Sequence, residues 1–315
     1  ICLHDNTLVR ALRDRGCDAI LVPAFVPTTT DEENVAERKV VMGGVNVWLQ
    51  EHVPVFRHTP GFLDAPLDSR PLLEWLSGRT GNARAADLGP LTVSTLEGER
   101  GRQRKEVAKL VRWLGRDVRP DVVHLSNALL LGLARSIREA TGAGIVCSLS
   151  GEDVFLDALP EPHRARVGDL LRERAVDVDR FVAFNQAFAD AMGTRLAAAP
   201  DRVAVIPHGV DLAAFPAEPP DLAARRRARD GRLVVGFLAR GCPEKGLDQL
   251  VRALGILARS HDVEVVAAGA TLATEREYLS SCTALARDLG DHRAQHFLVA
   301  EQVRSEEHTS ELQSR

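Results

Sequence analysis

The chain has 315 residues, a formal net charge of −4, and 45% hydrophobic and 27% charged residues. That balance is ordinary for a globular protein and excludes a disordered, collagen-like or disulfide-stapled chain. The slight acidity supplies no global basic field for nucleic acid, and no apolar run approaches the roughly 20 residues that span a bilayer.

Length alone suggests about two domains. The cysteines Cys2, Cys17, Cys147, Cys242 and Cys282 form no CxxC pair and are odd in number. They read as small buried or indifferent thiols in a reducing cytoplasm, not as a disulfide or metal framework. Lysines stand at positions 39, 105, 109 and 245 only, a bias toward arginine that makes each lysine conspicuous.

The chain opens on a helical pattern over 6–15, where Asp5 can cap and Leu8, Ala11 and Leu12 recur on one face. Gly16 stops it, and 19–22 reads as a strand. An α/β fold normally opens with a strand and a glycine-bearing loop before such a helix, so a first strand is expected to be missing. Residues 27–100 break the rhythm that follows and read as an insertion. It holds a polar loop at 28–33, a helix over 45–56 and a short helix over 72–76. Trp48 and Trp75 read as core anchors.

From there strands and helices alternate. Short runs rich in Val and Ile predict strands at 122–125, 145–149, 181–184, 203–206, 233–238, 263–267 and 296–299. Apolar periodicity predicts helices over 99–116, 129–140, 162–176, 186–197, 246–259 and 274–289. Alternation of this kind argues for an α/β protein built on parallel sheets, doubly wound by right-handed crossovers. A proline-rich stretch after Ile206 runs into the arginine cluster at 225–229 and reads as a linker. The domains expected are therefore 1–206 and 233–303, joined by 207–232. The arginine cluster reads as a solvated helix face.

The last twelve residues, 304–315, continue no apolar pattern and resemble the translation of a DNA-sequencing adapter. They are set aside as foreign to the fold, with the natural chain expected to continue beyond Val303.

Three segments carry a family resemblance. VIPHGVDLAAFP at 205–216 resembles the interdomain segment I-P-x-G-V-D-x-x-x-F of the family 4 glycosyltransferases. VGFLARGCPEKGLD at 235–248 resembles that family's G-R-L-x-x-x-K-G segment, and DVVHLSN at 121–127 its D-V-V-H strand end. The resemblance implies a GT-B fold, with two Rossmann-like doubly wound domains facing a cleft and the C-terminal one incomplete. It implies transfer of a sugar from a nucleotide-sugar donor with retention at the anomeric carbon, the donor being a substrate and no cofactor or metal being needed. The acceptor, whether glycan, lipid or small molecule, is not identified, and neither is any peripheral membrane contact.

The same resemblance assigns Arg240 and Lys245, with Gly241 and Gly246, to the donor diphosphate. The chemistry agrees. Diphosphate charge grows as the glycosidic bond breaks, and cations placed there stabilise the transition state more than the ground state. Arg240 follows a parallel strand and Lys245 precedes a helix N-terminus, both favoured places for phosphate.

Other strand-end residues are candidates for the acceptor or for the cleft: His124, Asn127, Gly151, Glu152, Asp153, Asn185, His208 and Gly209. Structural alternatives stand beside them: a hydrogen bond for His124 and Asn127, a cap on the following helix for the segment 150–153, and shaping of the domain crossing for His208 and Gly209. Many family members carry a His near 150–153, where this chain has Ser150, Gly151, Glu152 and Asp153. The family's glutamate pair, seven residues apart, has no counterpart before Val303, so the chain is expected to be an internal piece that is inactive alone. A dehydrogenase is disfavoured because no G-x-G-x-x-G follows a strand. A GT-B epimerase and a non-catalytic binding module remain the alternatives.

Overall fold

Residues 2–25, 27–28, 30, 33–37, 40–57, 59, 85–209, 212, 221, 224, 233–269, 275–289 and 297–301 are described in the computed structural model. The chain divides into two units, Ile1–Val210 and Asp211–Arg315.

The first unit is built on four parallel strands, β1 (Val122–Leu125), β2 (Gly144–Leu149), β3 (Arg180–Ala183) and β4 (Val203–Val205), paired in that order. Leu125 pairs with Cys147, Leu149 with Ala183, and Ala183 with Val205, so all four C-terminal ends lie along one edge. Alternate residues of β2, Ile145, Cys147 and Leu149, are at most 2% exposed. They meet Leu96, Leu131, Ile137, Leu170, Leu171 and Phe181 in one continuous core. Each such side chain contributes about 1.5–3 kcal/mol by its burial. Burial also pushes the Cys147 thiol well above its ordinary pKa, which keeps it an inert core residue.

The helices of this unit are α1 (Cys2–Asp14), α2 (Gly44–His52), α3 (Ala85–Glu97), α4 (Arg104–Trp113), α5 (Ala134–Thr141), α6 (Asp153–Asp157), α7 (His163–Ala175) and α8 (Gln186–Leu196). Two expected helices are broken. The one over 99–116 becomes a 3-10 turn at Gly98–Arg100, then α4, then a π turn at Leu114–Val118. The one over 129–140 opens as a 3-10 turn at Ala128–Leu133 before α5.

Three readings are corrected. Residues 19–22 are not a ladder strand: only Leu21 makes a β contact, an isolated parallel bridge to Ala36. That neighbouring segment is instead fastened to α1 by the buried Asn6. Its Nδ2 donates to Glu33 O at 2.9 Å and its Oδ1 accepts from Val35 N at 2.9 Å. Trp48 is no core anchor: it is 55% exposed, with its ring stacked on His52 at 4.5 Å. The face of α2 that turns inward carries Asn46, Val47, Gln50 and Glu51. Gln50 Nε2 donates to Glu106 Oε1 at 2.8 Å, and Arg102 pairs with Glu51 at 2.5 Å. Finally, α3 forms within the stretch 27–100 read as an insertion, where no helix was expected over 85–97. Trp75, the expected helix at 72–76, the arginine cluster and the tail 304–315 lie outside the described residues.

The second unit holds β5 (Leu233–Leu238), α9 (Leu247–Leu257), β6 (Val263–Gly269), α10 (Arg276–Leu289) and β7 (Phe297–Glu301). Its three strands are parallel in the order β5-β6-β7. Leu247, Ala267, Leu279 and Cys282 pack together, as do Leu254, Val263 and Val265, and Leu250 touches both groups. Among the described residues no helix is long and apolar enough to cross a membrane.

Candidate functional site

In the second unit, β5 delivers Arg240 just past its end, where Ala239 N still donates to Ala268 O of β6 at 3.1 Å. Cys242, 2% exposed, anchors a 3-10 turn over Pro243–Lys245. Pro243 sets the turn's φ. Gly246 then takes φ 74°, ψ 31° and opens α9, a left-handed conformation that glycine adopts without steric cost. At Gly241 a Cβ would lie 2.9 Å from Leu279 Cδ2 of α10, so a larger residue there would push that side chain aside.

Arg240 Nε pairs with Glu275 Oε1 at 2.9 Å; the Arg240 side chain stays 52% exposed and that of Glu275 only 10%. The Cys242 side chain, with Glu275 and Glu244 behind it, pushes the guanidinium further toward its charged form. Lys245 is exposed, and its ammonium makes no hydrogen bond or ion pair among the described residues.

The helix end itself offers less than its sequence promises. Lys245 N donates to Cys242 O, Gly246 N to Pro243 O, and both Gln249 N and Leu250 N to Gly246 O. Asp248 N donates to Tyr278 Oη at 3.1 Å, while that hydroxyl donates to Asp248 Oδ1 at 2.8 Å. This hydrogen bond holds the Asp248 carboxyl below its ordinary pKa. An anion and a phenol therefore already cap α9, and an incoming phosphate depends chiefly on the two cationic side chains. Glu244, Asp248 and Glu275 outnumber Arg240 and Lys245, so attraction here is local and geometric, not a broad positive field.

In the first unit, the C-terminal strand edge gathers a second cluster. His124 of β1 shares a 2.7 Å hydrogen bond between its Nε2 and Ser148 Oγ of β2. His208, following β4, stacks on Phe184 at 5.3 Å, and Phe184 stacks on Phe188 at 4.7 Å. His4 of α1 meets the His208 ring edge-on at 5.1 Å, and its Nδ1 lies 3.1 Å from Asp5 Oδ1. Burial pushes the His124 pKa down, Asp5 acts against that, and His4 adds to it.

The remaining candidates are engaged with backbone. Asn127 Oδ1 accepts from Leu129 N at 3.0 Å, and Asn185 Oδ1 accepts from Phe188 N at 2.8 Å, each capping the turn or helix that follows. Glu152 ties two loops together, its Oε1 accepting from Ala128 N at 2.9 Å and its Oε2 from Ser150 N at 2.7 Å. Gly151 has φ 87° with open space where a Cβ would sit, and a Cβ at Gly209 would also meet open space. Asp153 opens α6, and its side chain makes no hydrogen bond among the described residues. Among those residues no group of three His, Cys, Asp or Glu forms a metal-ligand set.

Two expectations follow. Asn185→Ala removes a helix cap and is expected to cost about 1 kcal/mol, read as a shift in urea midpoint. His124 is held below its ordinary value of 6.5 in the fold, so protonation favours the unfolded chain. Its contribution is full above the unfolded pKa and is lost as pH falls through the lower folded value. His124→Gln should flatten that part of the acid limb; an unchanged slope across about pH 7 to 5 contradicts it.

The residues that sequence reasoning passed over are His4, Asp5, Ser148 and Phe184 in the first cluster, and Glu275, Tyr278 and Leu279 in the second. The positions of His4 and Asp5 in the first turn of a helix were the available signal.

Comparison with known proteins bears on this arrangement. The model for Glycosyltransferase Family 4 matches residues 78–214. The chain is 35% identical over 187 residues to a GDP-mannose-dependent alpha-(1-6)-phosphatidylinositol monomannoside mannosyltransferase of Mycolicibacterium smegmatis, covering 57% of this chain and 44% of that protein. It is 33% identical over 105 residues to the phosphatidylinositol N-acetylglucosaminyltransferase GPI3 subunit of Saccharomyces cerevisiae, covering 33% of this chain and 23% of that protein. The chain thus aligns with less than half the length of either curated relative. A crystal structure of an alpha,alpha-trehalose-phosphate synthase (UDP-forming) from Burkholderia vietnamiensis superposes with a TM-score of 0.52 at 16% identity, covering 95% of this chain and 70% of that one.

Paired α/β units on parallel sheets, of this topology, define the GT-B class of glycosyltransferase folds. Within that class the segment 78–214 is similar to the family 4 glycosyltransferases.

Proposed function

We propose that the chain forms the donor-diphosphate and acceptor sites of a retaining glycosyltransferase that uses a nucleoside-diphosphate sugar. The observation that carries this reading is the loop at 240–246. There a strand end, a tight turn and a left-handed glycine place Arg240 and Lys245 in one short loop that leads into α9. The relatives' names supply the donor class, one being GDP-mannose-dependent and another UDP-forming.

In the reaction, the bond from the anomeric carbon to the diphosphate oxygen breaks and a bond to the acceptor oxygen forms. The acceptor's hydroxyl proton leaves with the diphosphate or to solvent. Arg240 and Lys245 meet the charge that builds on the leaving oxygen, which is where a fixed cation lowers the barrier most. The strand-edge cluster of His124, Ser148 and His208, with the His4–Asp5 pair beside it, orients the acceptor hydroxyls. Imidazole and hydroxyl groups both donate and accept, as polyol recognition requires. Both curated relatives carry phosphatidylinositol in their names, so an inositol-bearing acceptor is the first to test. The nucleotide sugar is consumed as a substrate, and no cofactor enters the reading.

The test offers the chain GDP-mannose, UDP-glucose and UDP-N-acetylglucosamine with phosphatidylinositol vesicles, inositol or simple sugars, and measures nucleoside diphosphate release and the anomer of the product. Release that depends on acceptor, with retained configuration, supports the reading. GDP and UDP binding no tighter than in an Arg240→Ala/Lys245→Ala variant overturns the donor site, and an inverted product overturns retention.

A further inference from the structure

One face of α10, with the residue just before it, carries three side chains that brace the loop at 240–248. Glu275 holds Arg240 through Nε at 2.9 Å. Tyr278 takes the Asp248 amide at 3.1 Å and donates to the Asp248 carboxylate at 2.8 Å. Leu279 fills the space that a side chain at Gly241 would need, at 2.9 Å from its Cβ position. The spacing 275, 278 and 279 is i, i+3, i+4, the positions that share one side of a helix. Contacts at the loop's beginning, at its first glycine and at the helix it feeds thus come from a single neighbouring element.

We infer that Glu275, Tyr278 and Leu279 are positioning residues for the donor loop, and that Glu275 in particular acts on the diphosphate only through Arg240. This rests on the reading of Arg240 as a diphosphate ligand. Arginine carries several rotatable bonds, and half of this side chain lies in solvent. Left unheld, it must lose that freedom each time a ligand arrives, whereas a side chain fixed beforehand binds without that loss. Glu275, mostly buried, supplies the fixed point, and pairing at Nε constrains the plane of the guanidinium. A carboxylate so close to a phosphate site also repels the ligand directly, with the opposite sign, so positioning and field effects predict different outcomes. Tyr278 acts at the other end of the loop: it keeps the Asp248 carboxylate on the phenol and the helix amide, and so away from Lys245 and the incoming phosphate.

The experiment is a double-mutant cycle read by calorimetry, with GDP and UDP as probes on the full chain and the tighter binder carried forward. Glu275→Ala is expected to weaken binding about 5–10-fold in the native background and to have no effect in the Arg240→Ala background, because coupled residues are not additive. Glu275→Gln, which keeps volume and an acceptor, should fall between the two and serves if the alanine variant does not fold. Tyr278→Phe should also weaken binding severalfold while the thermal midpoint moves only a few degrees.

Equal weakening by Glu275→Ala in both backgrounds, or tighter binding in both, overturns the positioning role and assigns a structural or purely repulsive one. If Arg240→Ala leaves GDP and UDP binding unchanged, or neither nucleotide binds the native chain, the donor-site reading fails first and this inference falls with it.

Discussion

In any form of the protein that transfers sugar, replacing Arg240 or Lys245 with alanine is expected to lower turnover by about 10²-fold or more, by analogy with loss of a single donor to a developing oxyanion. The magnitude follows from where the charge appears. The diphosphate already carries charge in the ground state, so part of each cation's attraction lowers KM alone. Only the extra charge on the bridging oxygen in the transition state raises turnover. Glu244, Asp248 and Glu275 around the same loop make the site a poor general attractor for anions. That lowers the share of binding that is indiscriminate and raises the share tied to geometry. Lys245→Arg should restore little, because a planar fork and a compact ammonium place their donors differently. Steady-state kcat and KM for the nucleotide sugar check this. A rise in KM at unchanged kcat shows uniform binding instead of transition-state stabilisation.

Arg174→Ala is expected to destabilise the first unit by about 4 kcal/mol, the sum of unsatisfied buried acceptors and a lost buried pair. Arg174 of α7 is 0% exposed. Its Nε donates to Leu96 O at 3.0 Å, its Nη2 donates to Glu97 O, and its Nη1 donates to Glu99 Oε1 at 3.0 Å and Oε2 at 3.2 Å. Leu96 and Glu97 sit in the last turn of α3, where carbonyls have no partner within the helix. The guanidinium thus does for α3 what a C-cap would do, from another helix. Burial pushes Glu99 up, but its own backbone amide and then Arg174 outweigh this, and its carboxyl stays below the ordinary value. That part of the stability is present above about pH 4.5 and is lost as pH falls through the folded pKa. Glu99 is 36% exposed, so the ion pair contributes less than the two carbonyl bonds. Arg174→Lys should not rescue, since one ammonium cannot span three acceptors. Urea unfolding at unchanged m measures the loss, and a change under about 1 kcal/mol contradicts the capping role.

Strands were legible wherever a run of Val and Ile met a register partner. The expected 122–125, 145–149 and 233–238 lie within a residue of β1, β2 and β5. Residues 19–22 have the same composition but find a partner only at Ala36, and composition does not report partners. α3 carries Gly89 and Pro90 within its span, and local propensity argues against a helix there. Gly89 lies against the His163 ring, where a Cβ would come within 2.6 Å, and tertiary packing carries the helix through Pro90. In the loop at 240–248, the sequence motif pointed to Arg240, Lys245 and Gly246. It said nothing of Tyr278 occupying an amide of α9, because that contact joins positions 30 residues apart. His4 and His208 meet at 5.1 Å from opposite ends of the first unit, a pairing that no local pattern encodes.

Tyr278 is the chain's one tyrosine, while its three tryptophans, Trp48, Trp75 and Trp113, all fall in the first unit. The chromophores are thereby segregated by unit. Indole emission follows melting of the first unit alone, and phenol absorption follows the second. Burial pushes the Tyr278 phenol above its usual pKa, so its conversion to the red-shifted phenolate is delayed for as long as the brace on Asp248 holds. A spectrophotometric alkaline titration therefore reads the state of the 240–248 loop directly, without a label and without interference from other tyrosines, of which the chain has none.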